Sequence, residues 1–178
     1  MNLPNLITSA RIALVPVFVW LLLTYPYGFP HRWIALAIFV IAMATDGLDG
    51  AIARRRGLIT NLGKILDPIA DKALIGGALV ALSILGEVHW GFTIAILVRE
   101  VGITVYRFIV IRNRVIAASG GGKFKTIFQS IVVGALVSPF GLVWPALVPY
   151  ELVLLAIATI ITLATGAQYL VAAIRAAK

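Results

Sequence analysis

Six apolar stretches, at positions 12–25, 33–53, 65–85, 90–111, 127–147 and 152–173, are separated along the chain by short breaks of charged residues, Gly or Pro. A helix rising about 1.5 Å per residue needs about 20 mostly apolar residues to cross a bilayer core. The pattern predicts an all-α integral membrane protein with six transmembrane helices. The first run is short. Pro4, followed by the polar Asn5, Thr8, Ser9 and Arg11, predicts a short N-terminal interfacial helix leading into that span. The run closes on Tyr25, Pro26, Tyr27, Gly28, Phe29 and Pro30 with no small-residue cleavage site, so it reads as an anchor and not a signal peptide.

Basic residues give the six runs a direction. Arg11, Arg54, Arg55, Arg56, Lys64, Arg112, Arg114, Lys123, Lys125, Arg175 and Lys178 fall on one side, and Arg32 alone falls on the other. Because basic loops stay in the cytoplasm, both termini are expected there. Composition agrees with this picture: of 178 residues, 61% are hydrophobic and 12% charged, with a mean hydropathy of +1.04. Soluble domains carry about 45–50% apolar and about 25% charged residues, so that class is excluded. With no repeat and no linker, residues 1–178 read as a single membrane domain. The only flexible stretch expected is 117–122, where Ser119, Gly120, Gly121 and Gly122 precede Lys123 in a cytoplasmic loop. Cysteine is absent, which excludes disulfides and thiolate chemistry. A net charge of +8 on such a chain points first to anionic lipid head groups and second to anionic substrates. A nucleic-acid partner is not expected, since no soluble domain is present to carry one.

The seven acidic residues are Asp46, Asp49, Asp67, Asp71, Glu87, Glu100 and Glu151. The four aspartates and Glu100 fall inside predicted spans, where an ionisable group costs at least about 2.5–3.5 kcal/mol and normally lines a polar cavity or meets another charge. Asp46 and Asp49 are three apart, and Asp67 and Asp71 four apart, so each pair shares a helix face. Gly50 and Ala53 fall beside the first pair and Gly63 beside the second, leaving space free of side chains. Counted from the cytoplasmic ends of antiparallel neighbours, all four carboxylates reach matching depths. Hard oxygen donors clustered in this way suit Mg²⁺ or Mn²⁺, and four acids suffice for two ions. A purely structural alternative pairs the acids with Lys72, Arg99 and Arg107. A cation-transport path is a further alternative, against which Gly50, Ala53 and Arg54 argue, because ion passage has no need of an Arg beside the acids.

Asp46, Asp49, Gly50, Ala53 and Arg54, then eight residues, then Gly63, Asp67 and Asp71 match the pattern DxxDGxxAR(x8)GxxxDxxxD at every fixed position. By this motif the chain resembles the CDP-alcohol phosphotransferases. Residues 2–130 further resemble the bacterial members that make phosphatidylglycerol phosphate: Asn2, Pro4, Asn5, Thr8 and Arg11 at the start, Asp67, Pro68, Asp71 and Lys72, then Arg99 with Glu100, and Lys123 with Lys125. The resemblance implies a six-helix fold, often a homodimer, in the inner membrane with its active site on the cytoplasmic side. It implies transfer of a phosphatidyl group from CDP-diacylglycerol to an alcohol with release of CMP. In it Asp46, Asp49, Asp67 and Asp71 ligate two divalent cations, and Asp71 doubles as general base. Asp49, Gly50, Ala53, Arg54 and Gly63 bind CDP-diacylglycerol, with Arg54 on the diphosphate.

The acceptor is read from the remaining cations. Arg99 and Arg107 in the fourth run, with Lys123 and Lys125 across the next loop, exceed what metal-bound acids require and suit a phosphorylated acceptor such as glycerol 3-phosphate. Inositol phosphate, phosphatidylglycerol and serine are the alternatives within the same chemistry. Glu100, Thr104 and Arg107 share a helix face, so Glu100 is expected to orient Arg107. For Lys123 and Lys125 the competing reading is lipid contact. His31 and His89, at predicted outer helix ends, and Trp20, Trp33, Trp90 and Trp144, near helix ends, read as interfacial or lipid-facing rather than catalytic.

Overall fold

The computed structural model describes residues 3–56, 61–110 and 120–177, with side chains at 3–6, 46–56, 61–68, 71, 107–110, 120–123, 174, 176 and 177 outside the description. Every regular element among these residues is helical: α1 (Leu3–Thr24), α2 (Phe29–Arg56), α3 (Asn61–Ile84), α4 (Trp90–Val110), α5 (Gly120–Val137), a single turn α6 (Phe140–Val143), a 3₁₀ turn (Pro145–Leu147) and α7 (Val148–Ala177). The six long helices coincide with the six apolar runs, with two differences. α1 is one continuous helix, so no separate interfacial helix precedes it. Pro4 stands at its second residue, where the missing N–H costs no hydrogen bond, and the helix passes straight through Asn5, Thr8 and Arg11. α5 starts earlier than its apolar run and stops ten residues short of it. Pro139 and Pro145 break the apolar segment after Val137, and the chain turns through α6 and the 3₁₀ turn into α7. The glycines expected to be flexible, Gly120 to Gly122, form the first turn of α5.

α3 is the centre of the bundle, touching α1, α2, α4 and α5, while α7 packs on α4 and α5. Its buried face is built from small and aliphatic residues, Ala70, Leu74, Ala78, Leu79, Ala81 and Leu82, none of them accessible. Two glycines make close approach possible on both flanks. A β-carbon at Gly76 would lie 2.9 Å from Leu97 of α4, and one at Gly77 would lie 3.0 Å from Val19 of α1. Small residues at helix interfaces supply the packing that drives association where lipid replaces water.

One end of the bundle is tied together by Arg32, which is 1% exposed. Its Nε donates to the carbonyl of Pro26 at 2.7 Å, Nη1 reaches the carbonyls of Leu136 and Val137 at the end of α5, and Nη2 pairs with Glu87 in the α3–α4 turn. Burial pushes the Glu87 carboxyl above its usual range, and Arg32 opposes that shift. The α1–α2 turn, the α3–α4 turn and the end of α5 therefore meet at one level. The start of α1, the end of α2, the start of α3 and the end of α7 lie at the other. Arg32, expected as a lone loop cation, is a buried cross-link.

The outer surface is apolar and part of the interior is charged. Val98 (68% exposed), Ile131 (64%) and Ile160 (65%) face outward in mid-helix, whereas Arg11, Glu100 and Lys125 are buried. Among the described residues, two helices, over Ile7–Thr24 and Pro145–Ala173, are long and apolar enough to cross a membrane by length and composition alone. Within the described side chains of α2, α3 and α5 the apolar windows are Phe29–Thr45, Lys72–Ile84 and Phe124–Val137.

Candidate active site

The aspartates stand on facing helices. Asp46 and Asp49 lie ten and seven residues before Arg56, the last residue of α2, and Asp67 and Asp71 lie six and ten residues after Asn61, the first of α3. The turns flanking this helix pair both sit at the Arg32 end, so α2 and α3 run antiparallel, and the two helices are in contact. At about 1.5 Å per residue, Asp49 and Asp67 are then roughly 9–10 Å, and Asp46 and Asp71 roughly 15 Å, from the shared end. The helix ends fall two residues beyond those expected at Arg54 and Gly63, and the levels still match because both ends move together. The side chains of Asp46, Asp49, Gly50, Ala53, Arg54, Gly63, Asp67 and Asp71 lie outside the described residues, as do those of Arg107 and Lys123. The donor types at this level fit a hard divalent cation: the motif supplies carboxylates alone, and His31 belongs to the opposite end of α2.

Deeper along α3 and α4 the structure gathers charges from three helices onto one carboxylate. Glu100, 4% exposed, accepts from Lys72 of α3 on Oε2, and from Lys125 of α5 and Arg99 of α4 on Oε1, the last at 2.9 Å. Arg99 extends the network to α7 by donating through Nη2 to the Thr165 hydroxyl at 3.1 Å. Beside it the Thr162 hydroxyl donates to Gln129 at 3.1 Å, linking α7 to α5. A cleft lined by Lys72, Gly76, Glu100, Lys125, Thr126 and Gln129 opens on this cluster.

These contacts correct two expectations and add to a third. Glu100 pairs with Lys72, Arg99 and Lys125, and its link to Thr104 is through its backbone carbonyl, which accepts the threonine hydroxyl at 2.8 Å. The side chain of Arg107, its expected partner two turns away along α4, lies outside the described residues. Lys125 is a helical, buried residue and not a flexible loop lysine, because α5 begins at Gly120. Arg11, read as a surface cation, is 1% exposed, and Thr8, one turn earlier, is equally buried. Their spacing of three on an otherwise apolar helix is the signal that marks an inward polar face.

Arg99 and Lys125, read as acceptor ligands, meet on one carboxylate together with Lys72, which the sequence reading names only in its structural alternative; Thr165 and Gln129 it passes over entirely. An isolated Thr or Gln on an apolar helix gives no sign of which neighbour it faces. The histidines stand at the Arg32 end as expected. His31 stacks on Tyr25 with centroids 4.1 Å apart, and His89 Nδ1 accepts from the Gly91 N–H at the start of α4. Trp20, Trp33, Trp90 and Trp144 are all exposed, and all four lie toward that same end.

Comparison with known proteins gives the geometry its context. The profile of the CDP-alcohol phosphatidyltransferase family matches residues 1–170. A probable phosphatidylglycerophosphate synthase of Mycobacterium tuberculosis (strain ATCC 25618 / H37Rv) is 46% identical over 178 residues, covering 98% of this chain and 82% of its own length. The CDP-diacylglycerol–glycerol-3-phosphate 3-phosphatidyltransferase of Bacillus subtilis (strain 168) is 39% identical, covering 94% of this chain and 93% of its own. The protein of the same name from Rickettsia bellii (strain RML369-C) is 36% identical with the same coverage. With its motif aspartates level on α2 and α3, and with relatives that match along nearly their whole length, the chain belongs to the CDP-alcohol phosphatidyltransferase family.

Proposed function

We propose that this protein is a membrane enzyme that transfers the phosphatidyl group of CDP-diacylglycerol to sn-glycerol 3-phosphate, giving phosphatidylglycerol phosphate and CMP, a step of phospholipid biosynthesis. The observation that carries this reading is the pairing of two features: a family motif whose four aspartates stand level on α2 and α3, and a buried set of cations next to it on α3, α4 and α5. The names of the related proteins support the same donor and acceptor.

In the proposed reaction the acceptor hydroxyl attacks the lipid-side phosphorus, the bond from that phosphorus to the CMP oxygen breaks, and CMP leaves. Asp71 takes the hydroxyl proton as general base. Two divalent ions, Mg²⁺ or Mn²⁺, held by Asp46, Asp49, Asp67 and Asp71, supply neutralisation of the diphosphate when bound. Arg54 pairs with the diphosphate, while Asp49, Gly50, Ala53 and Gly63 line the space for the cytidine end of the donor. Arg99, Arg107, Lys123 and Lys125 take the acceptor phosphate, which serine lacks.

The proposal places all six long helices across the inner membrane, with both termini and the active site at the cytoplasmic side. An outward apolar surface around buried charges supports this, as do tryptophans at one end and the basic positions 54–56 and 64, at the end of α2 and the start of α3, at the other. Family resemblance extends the proposal to a homodimer.

Incubation of the purified protein with CDP-diacylglycerol, Mg²⁺ and, separately, glycerol 3-phosphate, inositol phosphate, phosphatidylglycerol or serine should give a lipid product only with the first, identified by mass. Excess EDTA, Asp67→Asn and Asp71→Asn should each abolish turnover while leaving the helical content unchanged. Full activity in EDTA, or equal use of serine, would overturn the assignment.

A further inference from the structure

Arg11 is a buried cation that the proposed reaction leaves unused. Thr8, Arg11, Val15, Phe18 and Leu22 recur every three or four residues on α1 and form one stripe. Val15 is half-buried, and the other four are 1% exposed or less. The stripe packs toward α3, where a β-carbon at Gly77 would lie 3.4 Å from Val15 and 3.0 Å from Val19. Both helices start at the motif end of the bundle, so α1 and α3 run parallel and this contact fixes their register. Gly77 stands level with the middle of the Val15–Val19 turn. Six residues back along each helix, about 9 Å nearer the motif end, α1 has Arg11 and α3 has Asp71. Rotation agrees with level: at about 100° per residue, position 71 stands about 120° round α3 from Gly77, and position 11 about 60° round α1 from the same contact in the opposite sense. Both positions therefore fall on one side of the α1–α3 contact. A guanidinium at this depth is held by a counter-charge or by several carbonyls. Of the acids outside the motif, Glu87 pairs with Arg32, Glu151 opens α7 at that same far end, and Glu100 pairs with Lys72, Arg99 and Lys125. The acids at the level of Arg11 are those of the motif.

We infer that Arg11 is a positioning residue for the proposed metal centre: α1 carries its buried guanidinium to the level of Asp71, where it holds the motif carboxylates in place for the ions. This rests on the reading of Asp46, Asp49, Asp67 and Asp71 as ligands of divalent cations. At 1% exposure Arg11 is closed to a substrate, which sets it apart from the cations proposed to grip phosphates. Two effects of opposite sign act through such a group. As a positive charge it repels an incoming cation. As a planar fork of N–H donors it fixes carboxylate oxygens that would otherwise repel one another across α2 and α3. Positioning predicts weaker ion binding when Arg11 is removed, whereas simple repulsion predicts tighter binding. The sign of the change therefore separates the two.

The test measures Mn²⁺ binding to the full-length protein in detergent micelles, without substrates, by calorimetry and by the electron paramagnetic resonance of free Mn²⁺, with the Mg²⁺ dependence of turnover alongside. Groups that hold metal ligands in place are worth about 10–100-fold in metal affinity or activity, so Arg11→Gln should weaken Mn²⁺ binding at least about tenfold. The Mg²⁺ concentration for half-maximal rate should rise in parallel, and excess Mg²⁺ should restore part of the lost activity, which it would not do for a merely misfolded variant. Arg11→Lys keeps the charge without the fork and should weaken Mn²⁺ binding about threefold, and it carries the test if Arg11→Gln does not fold. Val15→Ala, one turn along the same stripe, loosens packing without touching a charge and should leave Mn²⁺ binding as in wild type. Unchanged or tighter Mn²⁺ binding in the Arg11 variants, or an equal loss in Val15→Ala, overturns the inference. Asp71→Asn separates it from the reading beneath it. If that variant leaves Mn²⁺ binding intact, the metal centre itself is wrong; if it weakens binding while the Arg11 variants do not, only the positioning role falls.

Discussion

Arg107 stands seven residues beyond Glu100 on α4, two turns along the same helix face and three residues before the last residue of α4, at the end of the bundle where the motif lies. In the proposed orientation this position stands between the buried cation cluster and the end from which a water-soluble acceptor arrives. Loss of one charge-assisted contact is worth about 1.5–3 kcal/mol, so Arg107→Ala should lower kcat/KM for glycerol 3-phosphate at least about tenfold. CDP-diacylglycerol kinetics should change little. Steady-state assays varying each substrate in turn check this, and unaltered glycerol 3-phosphate kinetics would remove Arg107 from the acceptor site. At this scale the sequence is most informative where residues are close together. The four aspartates are legible because their spacing fixes a helix face within each pair. Glu100 is not, because two of its three described partners lie on other helices: Lys72 and Lys125 are each more than 20 residues away, and no local pattern says which buried cation meets which carboxylate. Lys125 was obscured for a different reason, since the glycines before it read as a flexible loop when they open a helix.

The long helices follow from apolar run length, but their ends depend on particular residues. A predominantly apolar stretch runs from Ile127 past Val137 into Phe140, Leu142, Val143 and Trp144, so length alone extends α5 too far; Pro139 and Pro145 decide where it stops. The carbonyls left without helical partners at that end are the ones Arg32 reaches, at Leu136 and Val137. Arg32 thus joins three connections that the sequence shows only as separate breaks. Arg32→Ala should remove all these links and leave Glu87 without its cation, a loss of roughly 3 kcal/mol or more for a buried pair broken on one side. Glu87→Gln should cost less, because burial already works against the Glu87 charge and the amide still accepts a hydrogen bond from Arg32. Thermal unfolding in detergent should therefore rank wild type above Glu87→Gln and Glu87→Gln above Arg32→Ala, and the opposite order of the two variants would refute the cross-link as described.

Across the whole molecule, polarity is inverted relative to a soluble bundle, and the inversion has a direction. Exposed aliphatic residues cover the helices at mid-length, Arg11, Glu100 and Lys125 are inside, tryptophans gather toward the Arg32 end, and the basic positions 54–56 at the end of α2 and Arg175 near the end of α7 fall at the other. Each of these has a separate physical cause: lipid contact, the cost of placing a charge in hydrocarbon, aromatic preference for one interface, and retention of basic loops in the cytoplasm. They are consistent with the proposed orientation, in which the motif end of α2 and α3 faces the cytoplasm, where glycerol 3-phosphate and CMP are soluble while the acyl chains of the donor stay in the bilayer. The natural absence of cysteine makes this directly measurable, since a single introduced thiol is the only reactive one. Tyr27, 73% exposed in the α1–α2 turn, and Arg175, exposed near the end of α7, sit at opposite ends of the bundle. In intact cells a membrane-impermeant maleimide should label Tyr27→Cys, and it should reach Arg175→Cys only after permeabilisation. Labelling of Arg175→Cys from outside, with Tyr27→Cys protected, would invert the molecule in the membrane and place the aspartates on the side where neither the soluble acceptor nor released CMP is found.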